Sequence, residues 1–270
     1  MKKRKSLIIG CSQMGSISSK YSKYDYINTL KTAHSEDITY YDTAPSYGQG
    51  DSEKILGKIF RGLDNIYITT KTGYFITPQY KFLFQFKFII KFLLRLIDTK
   101  SNSSVKGGIT NLRKNGNYLY KSFTKKSLTK SLISSLKRLK RKNVYIFLLH
   151  DPETKDITNH EIIDTLTDLK SRKYFKYAGV SINTIEEFYE AIKFSIYEVI
   201  QIPYKLYKQL DENNFEFPSD KKIQVRGLLF FNGYFDTAIL SKLLNNEKLQ
   251  CLIGVSQEKH LKDILKKIDD

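Results

Sequence analysis

ITYYDTAPSYGQGDSEKILG, residues 38–57, joins an apolar run to a segment of helical period across a short loop. Ile38, Tyr40 and Tyr41, closed by Asp42, favour a strand because aromatic and β-branched residues suit the pleated backbone; Pro45 and Gly48 then end it. Ile55, Leu56 and Ile59 share one face of the helix that follows, with Asp51 or Ser52 as its cap. The loop therefore carries Asp42 and Tyr47 where a strand hands over to a helix. Taken singly, Asp42 fits an Asx turn, and Tyr47 is one of 19 tyrosines. Their meaning depends on what the rest of the chain brings beside them.

The same alternation runs along the whole chain. Strand-like runs occur at 7–9, 38–41, 66–70, 144–149, 176–180, 198–202, 223–229 and 251–255. Most are separated by segments of helical period, at 25–33, 52–60, 125–140, 160–171, 185–194, 237–245 and 258–268. Eight β units, most followed by a helix, predict an α/β fold of the (β/α)8 TIM barrel type. The expected organisation is a single domain over residues 1–270 with a segment inserted at about 74–120, after strand three. A doubly wound open sheet is the other architecture this alternation allows.

Composition narrows the function classes. With 41% hydrophobic residues the chain can bury a large core. Cys11 and Cys251 are far apart and lack metal-ligand spacing, so neither a disulfide framework nor a metal site is expected, and a reducing cytoplasm is the default location. The apolar run after the basic start MKKRK is too short for a signal peptide. A net charge of +17 suits nucleic acid or an anionic membrane, but the lysines are spread along the chain and no nucleic-acid motif occurs. An anionic small substrate or cofactor is the expected partner, and no nucleic acid.

In a (β/α) barrel the chemistry sits at the carboxyl ends of the strands. Strand two ends in Asp42 with Tyr47 just beyond, IYITTK ends in Lys71, and VYIFLLH ends in His150. Lys71 also fits a surface cation before the turn at Gly73, and His150 a histidine capping the HDP turn. Together the four make a device for moving a proton near neutral pH. A tyrosine with an ordinary pKa near ~10 needs a cation to stabilise its phenolate. Lys71 supplies that charge, Asp42 keeps Lys71 charged and oriented, and His150 donates a hydrogen bond to a carbonyl or hydroxyl oxygen.

YDTAPSYG, TTKTG, LLHDP, YAGVS and IQIPY, in this order, resemble the motifs of the aldo-keto reductases, and the match covers almost the whole chain. The opening GCSQMG, and the long segment between Lys71 and SLTKSLISSLKRL, look most like the bacterial D-threo-aldose dehydrogenase-like branch. The resemblance implies a (β/α)8 barrel and a catalytic tetrad of Asp42, Tyr47, Lys71 and His150. It also implies a nicotinamide dinucleotide bound without a Rossmann domain. Ser181 and Gln201 match residues that hold the nicotinamide carboxamide. Ile182 stands where the family usually has asparagine, leaving Asn183 as the substitute. Where many members stack an aromatic ring on the nicotinamide, this chain has Arg226, whose planar guanidinium can stack instead.

LIGVSQEKHLKDIL resembles the family's phosphate-binding strand, loop and helix. Gly254 allows close backbone approach, Ser256 and Gln257 lie nearest the phosphate, and Lys259 and His260 meet a 2′-phosphate. NADPH is therefore the expected cofactor, with NADH the alternative. Ile264 replaces an asparagine that many relatives use at the adenine.

KFLFQFKFIIKFLLRLI, residues 81–97, reads as a helix so apolar that it must bury itself against the barrel, a second subunit or a membrane interface; alternatively it forms a substrate lid. Its lysines and arginine interrupt every run long enough to span a bilayer. Two function classes follow. One is an NADP(H)-dependent oxidoreductase acting on an aldehyde, ketone or sugar. The other is a cofactor-binding interaction or regulatory protein with little turnover, in the manner of potassium-channel β-subunits.

Overall fold

The computed structural model describes residues 3–16, 19, 21–77, 119–228 and 237–269. Its strands, in chain order, are β1 (Leu7–Gly10), β2 (Tyr40–Asp42), β3 (Tyr67–Thr72), β4 (Tyr74–Ile76), β5 (Leu119–Lys121) and β6 (Val144–His150). They continue as β7 (Phe175–Ser181), β8 (Tyr197–Pro203), β9 (Lys222–Arg226) and β10 (Leu249–Gly254). All except β4 and β5 pair in parallel and close into a barrel of order β1-β10-β9-β8-β7-β6-β3-β2. The expected (β/α)8 TIM barrel is therefore the architecture, and the open sheet is not.

Helices α1 (Lys23–Ser35), α2 (Asp51–Ile59), α3 (Lys125–Leu139), α4 (Thr154–Ile157), α5 (His160–Ser171) and α6 (Ile185–Ala191) connect the earlier strands. They are followed by α7 (Tyr204–Glu212), α8 (Thr237–Leu244) and α9 (Glu258–Asp269). Leu30, Leu56, Leu132, Leu166, Leu240 and Leu261 are fully buried in the layer between strands and helices. A second, smaller buried cluster of Ile146, Leu148 and Val199 is separate from it. Residues two apart on a strand share a face, so Ile146 and Leu148 lie on the His150 side of β6, which is the barrel interior.

Several boundaries differ from the sequence reading. β2 is displaced to Tyr40–Asp42, and β9 ends at Arg226 instead of running to 229. Helix α7 is absent from the sequence reading. Pro203 is its N-cap and gives no side-chain cap, and only Leu206, Tyr207 and Leu210 are buried, so the usual start signal and a long periodic face are both missing. Neither Asp51 nor Ser52 caps α2; its N-cap is Gly50, in the left-handed region. Ser52 is buried instead, its hydroxyl meeting the Thr43 hydroxyl at 2.8 Å and donating to the Cys11 carbonyl at 3.1 Å.

The chain divides into two compact units, Met1–Gly73 with Phe123–Asp270, and Tyr74–Ser122. The second coincides closely with the expected insertion at about 74–120; in it β4 and β5 form an antiparallel pair, with Phe75 opposite Tyr120. The apolar segment 81–97 lies outside the described residues.

Helix α2 is locked to α3 through a buried carboxylate. Glu53 is fully buried, accepts from the Thr70 hydroxyl at 2.7 Å, and is paired with Arg138 Nε at 2.5 Å. A Cβ on Gly57 would lie 2.4 Å from the Arg138 carbonyl, so the two helices cross where no side chain fits. Arg138→Ala should lower unfolding free energy by about 3–5 kcal/mol in urea denaturation, because it strands a buried carboxylate. The double replacement Glu53→Met/Arg138→Met should recover much of that loss.

Candidate active site

The carboxyl ends of the barrel strands from β2 onward supply the site. β2 stops at Asp42, and the 3-10 turn Tyr47–Gly50 then brings Tyr47 back over the barrel mouth. Gly48 has φ 56° within that turn, and a Cβ there would lie 2.5 Å from the Met14 carbonyl, so glycine serves both the backbone angle and the contact. β3 carries Lys71 into the interior at 1% exposure. The Lys71 ammonium donates to Asp42 Oδ1, to the Thr43 carbonyl at 3.3 Å and to the Tyr47 hydroxyl at 3.3 Å. Its three protons thus have three acceptors. His150, at the end of β6, stands edge-on to the Tyr47 ring, with centroids 5.8 Å apart at 88°.

Asp42, Tyr47, Lys71 and His150 therefore meet at one end of the barrel. Burial pushes the Tyr47 phenol up; Lys71 pulls it down, Asp42 pushes it up again, and the net direction is upward. The sequence reading expected Lys71 to tune the phenol; in this arrangement its charge pulls against burial without reversing the upward direction. Burial lowers the Lys71 ammonium, Asp42 and Tyr47 raise it by more, and the net direction is upward. At neutral pH the arrangement is a protonated phenol hydrogen-bonded to a charged lysine, suited to giving up a proton to an oxygen placed beside it.

Ser181 and Gln201 are buried in the same interior layer. The Ser181 hydroxyl donates to Gln201 Oε1 at 3.0 Å, while Gln201 Nε2 donates to Asp42 Oδ2 at 2.9 Å and to Gln224 Oε1 at 3.1 Å. Gln224 passes the chain on to Gln250 at 3.0 Å. Gln201 thus serves the tetrad carboxylate with one proton and a neighbouring glutamine with the other. The sequence reading missed Gln224 and Gln250. Their signal was a lone glutamine in each of the apolar strands KIQVR and LQCLIG.

Asn183 and Arg226 are turned toward each other. Arg226 Nη2 donates to the Ile182 carbonyl at 3.0 Å and to Asn183 Oδ1 at 2.6 Å; Asn183 Nδ2 donates to Asp151 Oδ1 at 2.9 Å. Both side chains are thereby engaged with the chain itself at the ends of β7 and β9.

At the end of β10, a Cβ on Gly254 would meet no protein atom within 4 Å. Ser256 and Gln257 are half-buried ahead of α9, and Lys259 and His260 are exposed in its first turn. The helix start offers backbone N–H groups to an anion. One neighbour was overlooked in the sequence: Glu258 stands between Gln257 and Lys259, but its carboxylate is paired with Lys262 at 2.6 Å, along the helix. Ile264 is buried in the core.

A family model described as the aldo/keto reductase family matches residues 6–227. Over 219 residues, 80% of this chain and 53% of the relative, the chain is 24% identical to aldo-keto reductase YhdN of Bacillus subtilis (strain 168). Over 150 residues, 55% of this chain and 40% of the relative, it is 28% identical to D-threo-aldose 1-dehydrogenase of a Pseudomonas species. The chain thus spans about half the length, or less, of the curated relatives it matches. In fold it is similar to the crystal structure of an aldo-keto reductase from Klebsiella pneumoniae in complex with NADPH, with TM-score 0.65 and 13% identity over 98% of this chain and 86% of that one.

Proposed function

The chain belongs to the aldo/keto reductase family, and from that membership we propose that it interconverts a carbonyl (aldehyde, ketone or sugar) and the corresponding alcohol with NADP(H). The observation that carries this reading is the buried Lys71 ammonium shared between the Asp42 carboxylate and the Tyr47 hydroxyl, with His150 beside the phenol ring. In the reducing direction Tyr47 gives its proton to the substrate oxygen, and Lys71 stabilises the phenolate that results. In the oxidising direction the phenolate takes the proton back. His150 directs the substrate oxygen toward Tyr47, and Asp42 keeps Lys71 charged.

A nicotinamide dinucleotide supplies the hydride chemistry when bound. The donor set suits its phosphate end, where Gly254 leaves room and Ser256, Gln257, Lys259 and His260 surround the start of α9. At the other end the carboxamide falls to Ser181, Gln201 and Asn183, whose polar groups hold one another and their neighbours within the chain. Arg226, close enough to lower the phenol of Tyr47 by its charge, is our candidate for the position of a stacking aromatic, with its Nη2 held by Ile182 and Asn183. The exposed cation at Lys259, without an ion-pair partner among the described residues, favours NADPH over NADH. Both cysteines are buried and unpaired, which suits the cytoplasm as the site of action.

Turnover of NADPH across a panel of aldehydes, ketones and sugars tests the reading. Tyr47→Phe should keep cofactor affinity and lose roughly 10²-fold or more in kcat; unaltered kcat would remove Tyr47 from the proton transfer. Lys71→Met takes away the charge that pulls the phenol down, so the pH profile of alcohol oxidation should move upward, and a stationary profile would remove Lys71 from that role. Replacing Lys259 and His260 by alanine should weaken NADPH about tenfold or more while NADH affinity barely moves. Calorimetric titration of both cofactors checks this, and equal losses would mean that the two side chains shape the pocket without reading the 2′-phosphate.

A further inference from the structure

From Phe123 to His150 the chain has no aspartate or glutamate, while Lys125, Lys126, Lys130, Lys137, Arg138, Lys140, Arg141 and Lys142 fall in the same stretch. The structure sorts these cations by type. Arg138 turns inward to Glu53, and Arg141 donates to the carbonyls of Phe60 and Leu63. The six lysines are exposed, and among the described residues none of them has a carboxylate within ion-pair distance. At about 100° per residue, Lys126, Lys130 and Lys137 lie within roughly 40° of one another on α3, with Ile133 beside them. They edge a groove of about 830 Å³ that reaches Glu161 at the start of α5.

Lys137 and Arg138, in the last turn of α3, suit the negative end of its dipole, but the lysines nearer its start do not serve the helix. Lys125 and Lys126 occupy the first turn of α3, which holds no acid, so they face the positive end of the helix dipole. Lys126 and Lys130 are one turn apart and repel each other. Lysines at 125, 126 and 130 that oppose helix stability, continued by Lys137 on the same exposed face, point to an external anionic surface.

We infer that the lysine face of α3 docks on a bilayer surface carrying anionic phospholipid. Lysine is a compact point charge suited to a diffuse field, and each one near an anionic leaflet adds to attraction. The face lacks what nucleic acid recognition uses: among the described residues no aromatic ring lines its groove, and both arginines of the stretch are engaged inward. Among the described residues no helix is long and apolar enough to cross a membrane, so the contact is peripheral. The inference stands apart from the catalytic reading, since none of these lysines touches the site.

Co-sedimentation with phosphatidylcholine vesicles, with and without phosphatidylserine, tests it. The protein should bind only the vesicles with phosphatidylserine and release with salt. The triple replacement Lys126→Ser/Lys130→Ser/Lys137→Ser should weaken binding at least about tenfold, with unchanged circular dichroism and melting temperature. The control Lys173→Ser/Lys205→Ser/Lys248→Ser removes the same charge from other exposed positions and should bind as the parent does. Equal loss in the control would overturn the inference in favour of diffuse net charge, and so would undiminished binding of the α3 variant. Polyuridylate held at a salt concentration that releases the vesicles would overturn it in favour of nucleic acid.

Discussion

The ion pair between Lys71 and Asp42 is the constraint on which the rest of this barrel depends. Both groups are almost wholly removed from water, and the desolvation of two such charges costs several kcal/mol per ion. Such a pair persists only where every remaining donor and acceptor is met. Here Lys71 uses its three protons on Asp42, the Thr43 carbonyl and Tyr47, and the second oxygen of Asp42 takes Gln201. Gln201 in turn requires Ser181 and Gln224, and Gln224 requires Gln250. A polar network across six barrel strands is the consequence of placing one lysine in the interior.

The same burial decides the chemistry available. A phenol in this position is held protonated by its surroundings, and the nearby ammonium limits how far burial can carry it. A weak acid beside a fixed cation can lose its proton without the phenolate being left uncompensated, as the proposed reaction needs. Lys71, raised by Asp42 and Tyr47 against the pull of burial, stays charged through the pH range in which that transfer runs. Tyr47 is held in place by the tight glycine-containing turn, because a side chain at Gly48 would collide with the loop at Met14 and Gly15.

Away from the barrel mouth, the basic residues divide according to geometry. Arginines with planar, multiply donating heads are used where a carboxylate or carbonyls must be satisfied at a helix junction, as at Glu53 and at Phe60 and Leu63. Lysines are left on the surface of α3, and Lys259 with His260 marks the start of α9. A high net charge therefore resolves into separate local fields with different geometry.

The class of fold and the four residues of the proposed tetrad were legible because they depend on local order: apolar runs, helical period, and the polar residue that closes a strand. A strand end is a position in sequence, and closing the barrel turns it into a position in space, so Asp42, Lys71 and His150 were already aligned in the text. Helix α7 was not legible, because it lacks a side-chain cap and its short buried face is stabilised by packing. The misplaced cap at Asp51 or Ser52 failed for a similar reason: Ser52 finds partners in Thr43 and Cys11, which only folding brings near. Glu53 and Arg138 are 85 residues apart, and nothing local pairs them. The partners of Gln201 and Asn183, and the direction in which Lys71 and burial together move the Tyr47 phenol, were likewise decided by tertiary structure. Hydrogen-bond choice and desolvation depend on which groups share an enclosed volume, and that volume exists only once eight separated strands have closed around it.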